Sequence, residues 1–507
     1  VLCIATSWKV RSDTPGHAPA HKRGNETLSR RLDQAFVRAS PRYAPVSTPA
    51  ASLVIHGAVL MLWIVLFARA FGGGGLVAWS TGVVYVAYDT ALLAFVFWQS
   101  LRLLRPAPSL PAGAGRPTLG VIVAAHNEAA ILPQTLTSLF AQSDTPDCIV
   151  IADDGSFDAT EEVLAGFGLT APPIGQLSAP SLSHPCLKWF RLPHGGKARA
   201  LNQAIGVIDT DIVLTVDADT MLQEGAIGAM RAGFAADPGL VAATGVLAPV
   251  CQPTVSGHFF QWFQTYEYIR NFLSRYAWSR LDSLLLISGA FAGFRRDALL
   301  EVGGFDPESL VEDYELIHRL KRHATLHDLG WHTAVIGRAL CTTDAPGTAG
   351  AFLRQRRRWF GGFLQTQYWY RDMVGNRRYG WLGTAMLPVK AADTLQPFYG
   401  LTASGLLIYF LATGQFAVVI PAAGVMLAKI GIDLGFHLWS VVLYRHWTGD
   451  SRSGKLSHAF AAALAEPFSF QLFRHTGAAL GWVVFLTGQR SWGTKSRFGV
   501  TAASGAK

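Results

Sequence analysis

Several short polar groupings in this chain pair residue types that can do chemistry with a spacing that could bring them together. Asp217 and Asp219 flank a single alanine after an apolar run at 212–216. Two carboxylates so placed at a strand end can reach one site. Their oxygens suit a hard divalent ion such as Mg2+ or Mn2+, which can in turn hold a diphosphate; a solvated turn has the same pattern. Asp153 and Asp154 precede Gly155 and Ser156 after a second run at 148–152. A carboxylate there can accept a hydrogen bond from a ring N–H such as that of uracil, and an Asx-type turn capping the next helix fits as well. His194-Gly195-Gly196-Lys197 suits an anion at a helix start or is simply a helix start; it lacks the GxxxxGK[ST] spacing of a Walker A loop. Asp313, beside Glu312, could take a proton from an attacking hydroxyl, or be ordinary negative charge in a helix's first turn. In Gln355-Arg356-Arg357-Arg358-Trp359, a helix would put Gln355, Arg358 and Trp359 on one face. Arginine matches phosphate geometry and a Trp face stacks on a sugar ring, whereas a basic interfacial helix with a Trp anchor would look alike.

The elements around these groupings follow from periodicity. An apolar run at 119–125 ends at His126-Asn127-Glu128, and an amphipathic stretch follows at 128–141. With the runs at 148–152 and 212–216 and a helix over 197–207, the alternation predicts βαβ units and a parallel sheet. The polar groupings then sit just past the strand ends, where open α/β sheets bind ligands.

Half of the chain is apolar, only 15% is charged and the mean hydropathy is positive. No Asp, Glu, Lys or Arg occurs in 43–68 or 394–428, and a bilayer-spanning helix needs roughly 20 apolar residues. Membrane helices are expected at 51–70, 77–100, 395–413, 416–444, 456–471 and 474–489. Asp89 lies within the second, facing the bundle interior or a polar path unless the helix begins or ends near it. Lys429 and Asp433, one turn apart, can neutralise each other. The net charge of +9 comes from basic clusters that mostly flank apolar segments, which marks cytoplasmic faces and predicts no nucleic-acid partner. Five cysteines without a CxxC pair fit a reduced compartment. Residues 1–42 read as a disordered basic cytoplasmic tail without a signal peptide, 106–117 as a linker, 346–394 as amphipathic segments at the membrane interface, and 490–507 as a cytoplasmic tail.

Taken together and in order, His126-Asn127-Glu128, Asp153-Asp154-Gly155-Ser156, Gly196-Lys197-Ala198-Arg199-Ala200-Leu201-Asn202, Asp217-Ala218-Asp219, Ser288-Gly289-Ala290, Glu312-Asp313 and Gln355 to Trp359 resemble the family-2 glycosyltransferases that synthesise polysaccharides at membranes. Cellulose, chitin and hyaluronan synthases and bacterial poly-N-acetylglucosamine synthases are of this kind. The resemblance covers about 117–372 by motif. It implies an α/β GT-A (Rossmann-like) cytosolic domain at 118–345, inserted between α-helical transmembrane segments of a multi-pass plasma (inner) membrane protein. It further implies that Asp153 and Asp154 contact uracil, Lys197 lies near the nucleotide, Asp217 holds the donor and Asp219, with Asp217, ligates Mg2+ or Mn2+. Asp313, with Glu312, would be the general base of an inverting displacement. Gln355, Arg356 and Arg358 would hold the diphosphate, Trp359 the acceptor sugar, and Ser288 and Gly289 would line the acceptor entrance.

Departures from the family narrow the product. Val311 replaces the usual threonine, no Gly-Asp-Asp marks a hyaluronan-type enzyme, and Ser288-Gly289-Ala290 lacks the cysteine of cellulose synthases. No soluble regulatory domain is read after the last membrane segment. A poly-N-acetylglucosamine-like or other β-glycan is expected from a UDP-sugar donor and a glycan acceptor, with the lipid bilayer and an envelope export partner around it. The alternatives are a transferase placing one sugar on a lipid carrier, and a transporter or scaffold with an inactive nucleotide-binding domain.

Overall fold

The computed structural model describes residues 23–72, 76–105, 115–450 and 454–488. Nine strands form one sheet: β1 (Leu119–Ala125), β2 (Cys148–Asp154), β3 (Gln176–Leu177), β4 (Leu187–Leu192), β5 (Ile212–Asp217), β6 (Thr220–Leu222), β7 (Leu240–Val250), β8 (Phe291–Arg295) and β9 (His332–Asp344). Their order is β3-β4-β2-β1-β5-β8-β7-β9-β6. β4, β2, β1 and β5 run parallel, and β8 lies antiparallel between β5 and β7. This is a mixed sheet with a parallel half at β4-β2-β1-β5. Leu119, Val121, Ile122 and Val123 are all fully buried, as in a strand covered on both faces. The parallel register sets Ala125 beside Asp153 and Ala124 beside Asp217, so the carboxylates of neighbouring strands end along one edge.

The chain before residue 42 departs from the expected disordered tail. Residues 1–22 lie outside the described residues, but Arg23–Ala39 is a helix. Leu32, Ala35, Phe36 and Ala39 are buried, and this spacing is an apolar stripe that the polar average of the segment hides. The helix backbone packs so closely on Gly303 that a Cβ there would lie 2.3 Å from the Phe36 nitrogen. Arg42 then pairs with buried Asp306 at 3.1 Å. Much of the expected linker at 106–117 and the whole tail at 490–507 lie outside the described residues.

Helices occur at Ala50–Gly72, Leu76–Ser100, Gln396–Ala412 and Phe416–Thr448. Among the described residues, three helical stretches are long and apolar enough to cross a membrane: Ala50–Arg69, Leu382–Ala412 and Phe416–Thr448. Asp89 sits inside its helix and pairs with Lys429 at 2.7 Å; Lys429 also meets Asp433. The expected span at 456–471 is not formed. Leu456–Ala465 is a helix of 10 residues, about 15 Å long against a hydrocarbon core of about 30 Å. A turn at Glu466–Phe468 separates it from the helix Phe470–Thr487. That last helix packs tightly on Ala349–Trp369, the helix carrying the arginine run: a Cβ on Gly481 would meet the Phe360 Cβ at 2.5 Å.

Candidate active site

The carboxyl edge of the sheet opens into a cavity of about 1050 Å3, closed on its other sides by the helices Val255–Ser279, Glu312–Leu326 and Ala349–Trp369. Asp154, Lys197, Asp217, Asp219, Ser288, Gly289, Glu312, Asp313, Gln355, Arg358 and Trp359 all line it. Most of the residues singled out from the sequence, up to 205 positions apart, therefore meet on one cavity.

Asp154 ends β2, where Gly155 adopts a left-handed turn at φ 69°. A Cβ on Gly155 would lie 2.8 Å from the His194 nitrogen, so glycine lets the two loops touch. The Asp154 carboxylate accepts hydrogen bonds from the Gly195 amide at 2.7 Å and the Gly196 amide at 2.9 Å. It thereby shapes the turn that delivers Lys197. His126 and His194 stack above it with ring centroids 4.4 Å apart, giving the cavity a flat shelf. The ligand atoms of His126, Asp154 and His194 lie within 4.8 Å of one another. They are already engaged: both Nδ1 atoms lie near the Asp154 carbonyl oxygen, at 2.9 and 3.1 Å, and the carboxylate holds the glycine amides. This trio fits a metal ion poorly.

Asp153 does not line the cavity. Its side chain is buried behind the turn, where Oδ1 accepts from the Ser156 amide at 2.9 Å and Oδ2 from the Trp189 indole at 3.2 Å. Strand alternation explains the difference, since neighbouring residues of β2 face opposite sides of the sheet.

Lys197 opens its helix with Nζ at 2.5 Å from Asp217 Oδ1, 3.6 Å from Glu312 and 3.4 Å from the Gly289 carbonyl oxygen. Burial pulls its ammonium down, but Asp217, Glu312 and Asp313 outweigh burial and raise it above the ordinary lysine range. Asp219 is buried in the cavity wall one alanine further on, and Thr135 donates to the Ala218 carbonyl at 2.6 Å to hold the turn. Asp344, at the end of β9, lines the same wall, its amide donating to the Asp219 carbonyl at 3.4 Å. Asp217, Asp219 and Asp344 offer carboxylate oxygens of the kind that suit a hard divalent cation, with Asp217 Oδ1 paired to Lys197.

Asp313 is the second residue of its helix. Its carboxylate accepts from the Gly289 amide at 2.7 Å and the Tyr314 amide at 2.8 Å. A Cβ on Gly289 would sit 3.0 Å from that carboxylate. Burial and the neighbouring Glu312 push the Asp313 carboxyl up, while Lys197 and the two amides hold it back; the net shift is upward.

On the Ala349–Trp369 helix, Gln355, Arg358 and Trp359 face the cavity, and Arg358 donates to the Leu310 carbonyl at 3.0 Å. Arg356 does not face it. Its guanidinium is buried on the helix flank, 2.6 Å from Glu267 and over the Trp359 ring at 4.6 Å. At about 100° per residue, position 356 points away from the stripe that 355, 358 and 359 share. Arg356 therefore backs Trp359 and does not line the cavity.

Sequence reasoning missed the wall supplied by Val255–Ser279. Tyr268, Asn271 and Arg275 line the cavity from it. Their i, i+3, i+7 spacing was the available signal, masked by the abundant aromatics of that segment.

Residues 120–303 match the model described as Glycosyl transferase family 2, and residues 212–428 match that of Glycosyl transferase family group 2. The chain is 29% identical over 247 residues to the poly-beta-1,6-N-acetyl-D-glucosamine synthase of Staphylococcus epidermidis strain RP62A, covering 48% of this chain and 54% of that protein. It is 28% identical over 243 residues to the protein of the same name from Staphylococcus aureus strain COL, covering 48% and 53%. The chain thus spans about half the length of the curated relatives it matches. Among solved structures, a mannosyltransferase from Pyrobaculum calidifontis in complex with GDP-Man and Mn2+ aligns with a TM-score of 0.48 and 21% identity, over 82% of this chain and 99% of that one.

Proposed function

With a family-2 glycosyltransferase domain over residues 120–428 as the premise, we propose that the protein transfers a sugar, with inversion, from a UDP-sugar to the growing non-reducing end of a β-linked polysaccharide. The observation that carries this reading is the convergence of an amide-held carboxylate, Asp313, with the donor-side carboxylates and the Gln355–Trp359 face on one cavity.

The uracil ring lies on the His126–His194 shelf near Asp154. Asp219 and Asp217 would hold Mg2+ or Mn2+, which would supply charge to neutralise the diphosphate. Gln355 and Arg358 flank the diphosphate from the helix side, and Trp359 stacks on the acceptor sugar. The acceptor hydroxyl attacks the anomeric carbon from the side opposite the diphosphate as the anomeric C–O bond to the β-phosphate breaks; UDP leaves with that electron pair, and the hydroxyl proton passes to Asp313. A carboxyl raised by burial and Glu312 is a stronger base than an ordinary aspartate. The amides of Gly289 and Tyr314 fix its orientation.

A poly-N-acetylglucosamine-like product is favoured by the similarity to the staphylococcal synthases. Three helical stretches long and apolar enough to cross a membrane support a multi-pass protein of the plasma (inner) membrane; in this reading the sheet domain is cytoplasmic and the glycan is exported between the helices toward an envelope partner. Incubating membranes containing the protein with labelled UDP-glucose, UDP-N-acetylglucosamine or UDP-glucuronate tests the reading. A polymer from UDP-N-acetylglucosamine is expected. Products of one added sugar, extractable in organic solvent, would overturn the polymerase in favour of transfer to a lipid carrier.

A further inference from the structure

The cavity has a wall that the donor-side chemistry does not use. Tyr268, Asn271 and Arg275 project into it from successive turns of the Val255–Ser279 helix. Arg275 is the telling member. Its Nε and Nη1 atoms are buried and have no hydrogen-bond partner, and its guanidinium lies over the Phe272 ring at 4.6 Å. Burying guanidinium donors without acceptors is costly, so the arrangement is completed by a ligand that brings oxygens.

The surroundings indicate which ligand. Burial pulls the Arg275 guanidinium down to about 10, against the upward pull of Tyr268, Asp313 and Glu267; the base of the proposed reaction is among its electrostatic neighbours. The wall is also coupled to Trp359: Glu267, adjacent to Tyr268, binds Arg356, which lies over the Trp359 ring. An aromatic ring, a carboxamide and a guanidinium on one helix face supply a stacking surface and donors for hydroxyl and amide oxygens, which is the chemistry of saccharide recognition. In the proposed reaction the diphosphate already has its partners in Asp217, Asp219, Gln355 and Arg358, which leaves this face for the acceptor.

We propose that Tyr268, Asn271 and Arg275 form an acceptor-binding wall, with Arg275 as its central positioning residue, that grips the non-reducing end of the glycan and aims its hydroxyl at Asp313. The proposal rests on the transferase reading above and adds residues to it that the family motifs do not include.

The test uses the 507-residue chain in lipid nanodiscs, with Mn2+, UDP-N-acetylglucosamine as donor and a soluble β-1,6-linked N-acetylglucosamine oligosaccharide as acceptor. Binding of the oligosaccharide in the presence of UDP is measured directly by calorimetry, so the result does not depend on turnover. Arg275→Gln and Tyr268→Ala are each expected to weaken oligosaccharide binding and raise its KM about tenfold, with UDP affinity within about twofold of the parent. Arg275→Lys, which keeps the charge, recovers part of the loss, and retained UDP binding shows that each variant is folded. Unchanged oligosaccharide binding in both variants, or an equal loss of UDP affinity, overturns the wall, as does failure of the parent protein to bind the oligosaccharide. Oligosaccharide binding without turnover of any UDP-sugar sinks the transferase reading and leaves the wall standing. Normal turnover with acceptor binding unaltered in the variants sinks the wall alone.

Discussion

At the cavity, Asp154 and Asp313 are held by backbone amides, whereas behind Trp359 a run of charged side chains is held by other charges. Asp154 is gripped by Gly195 and Gly196, Asp313 by Gly289 and Tyr314. On the helix side, Arg356 binds Glu267 at 2.6 Å and Glu267 binds Arg474 at 3.2 Å. Arg474 in turn binds Glu466 at 3.1 Å, and Glu466 binds Arg270 at 2.8 Å. Amides cannot lose their donors by mutation of a side chain, so the sheet-side groups keep their orientation when a neighbour changes. The helix side is a ladder built on the buried ions Glu267, Arg356 and Glu466, whose members depend on one another because an ion stripped of its partner in a low-dielectric interior is strongly destabilising.

The contrast is sharpest at the two strongest perturbations. Asp313→Asn removes the proposed base and keeps one arm of its cradle, since an amide oxygen can still accept from Gly289 while the side-chain NH2 faces the Tyr314 amide. Transfer should fall about a thousandfold while UDP binding stays within about twofold, as read by labelled-sugar incorporation beside calorimetry. Equal loss of both would mean that Asp313 serves donor binding. Glu267→Gln should do the reverse. It removes the charge shared by Arg356 and Arg474, and should cost about 3 kcal/mol of stability in a thermal melt, with UDP affinity in the surviving folded fraction little changed. A melt like that of the parent would mean the ladder contributes nothing to holding the helices.

These walls also differ in how much of them could be read from the chain. The sheet edge was legible because each of its groups lies next to its own strand or helix end: Asp217 at the end of β5 and Asp219 just past it, Lys197 at a helix start, Asp313 in a first turn. The apolar runs that mark those ends are local signals. The helix side depends on partners far apart, such as Glu267 with Arg356 and Arg474, and no local pattern reveals which charges will meet. This is why Arg356 reads as a ligand contact when it is a brace, and why Tyr268 and Arg275 stay hidden among aromatics. The Arg23–Ala39 helix was missed for a related reason: its apolar stripe has meaning only once the surface around Gly303 exists to receive it.

Smaller effects separate the sheet-side groups from each other. Asp219→Asn should weaken Mn2+-dependent UDP binding by about 10- to 100-fold, the loss shrinking when binding is measured with chelator present. Insensitivity to both mutation and chelator would remove the metal from the proposed site. The acid side of the kcat/KM profile reports Asp313. Because burial and Glu312 raise its carboxyl, the proton is held to higher pH than in an ordinary aspartate, and activity should fall as pH drops through that raised value. Glu312→Gln removes the like charge, so the acid limb should move to lower pH; a limb that stays put or moves upward would exclude Asp313 as the titrating base.

The smallest expected effect tests the finest distinction, that between adjacent aspartates. Asp154 faces the cavity and organises the glycine turn, while Asp153 is spent on Ser156 and the Trp189 indole behind it. Asp153→Asn keeps an acceptor oxygen for one of these donors and sets an amide against the other. Stability should fall by about 1 kcal/mol, with UDP affinity within about twofold of the parent. Asp154→Asn loses one of the acceptors for Gly195 and Gly196, loosens the turn that aims Lys197, and should cost UDP affinity more than stability. If calorimetry shows the Asp153 variant to be the poorer UDP binder, the orientation of these side chains, and with it the assignment of the nucleotide to the Asp154 side of the turn, is wrong.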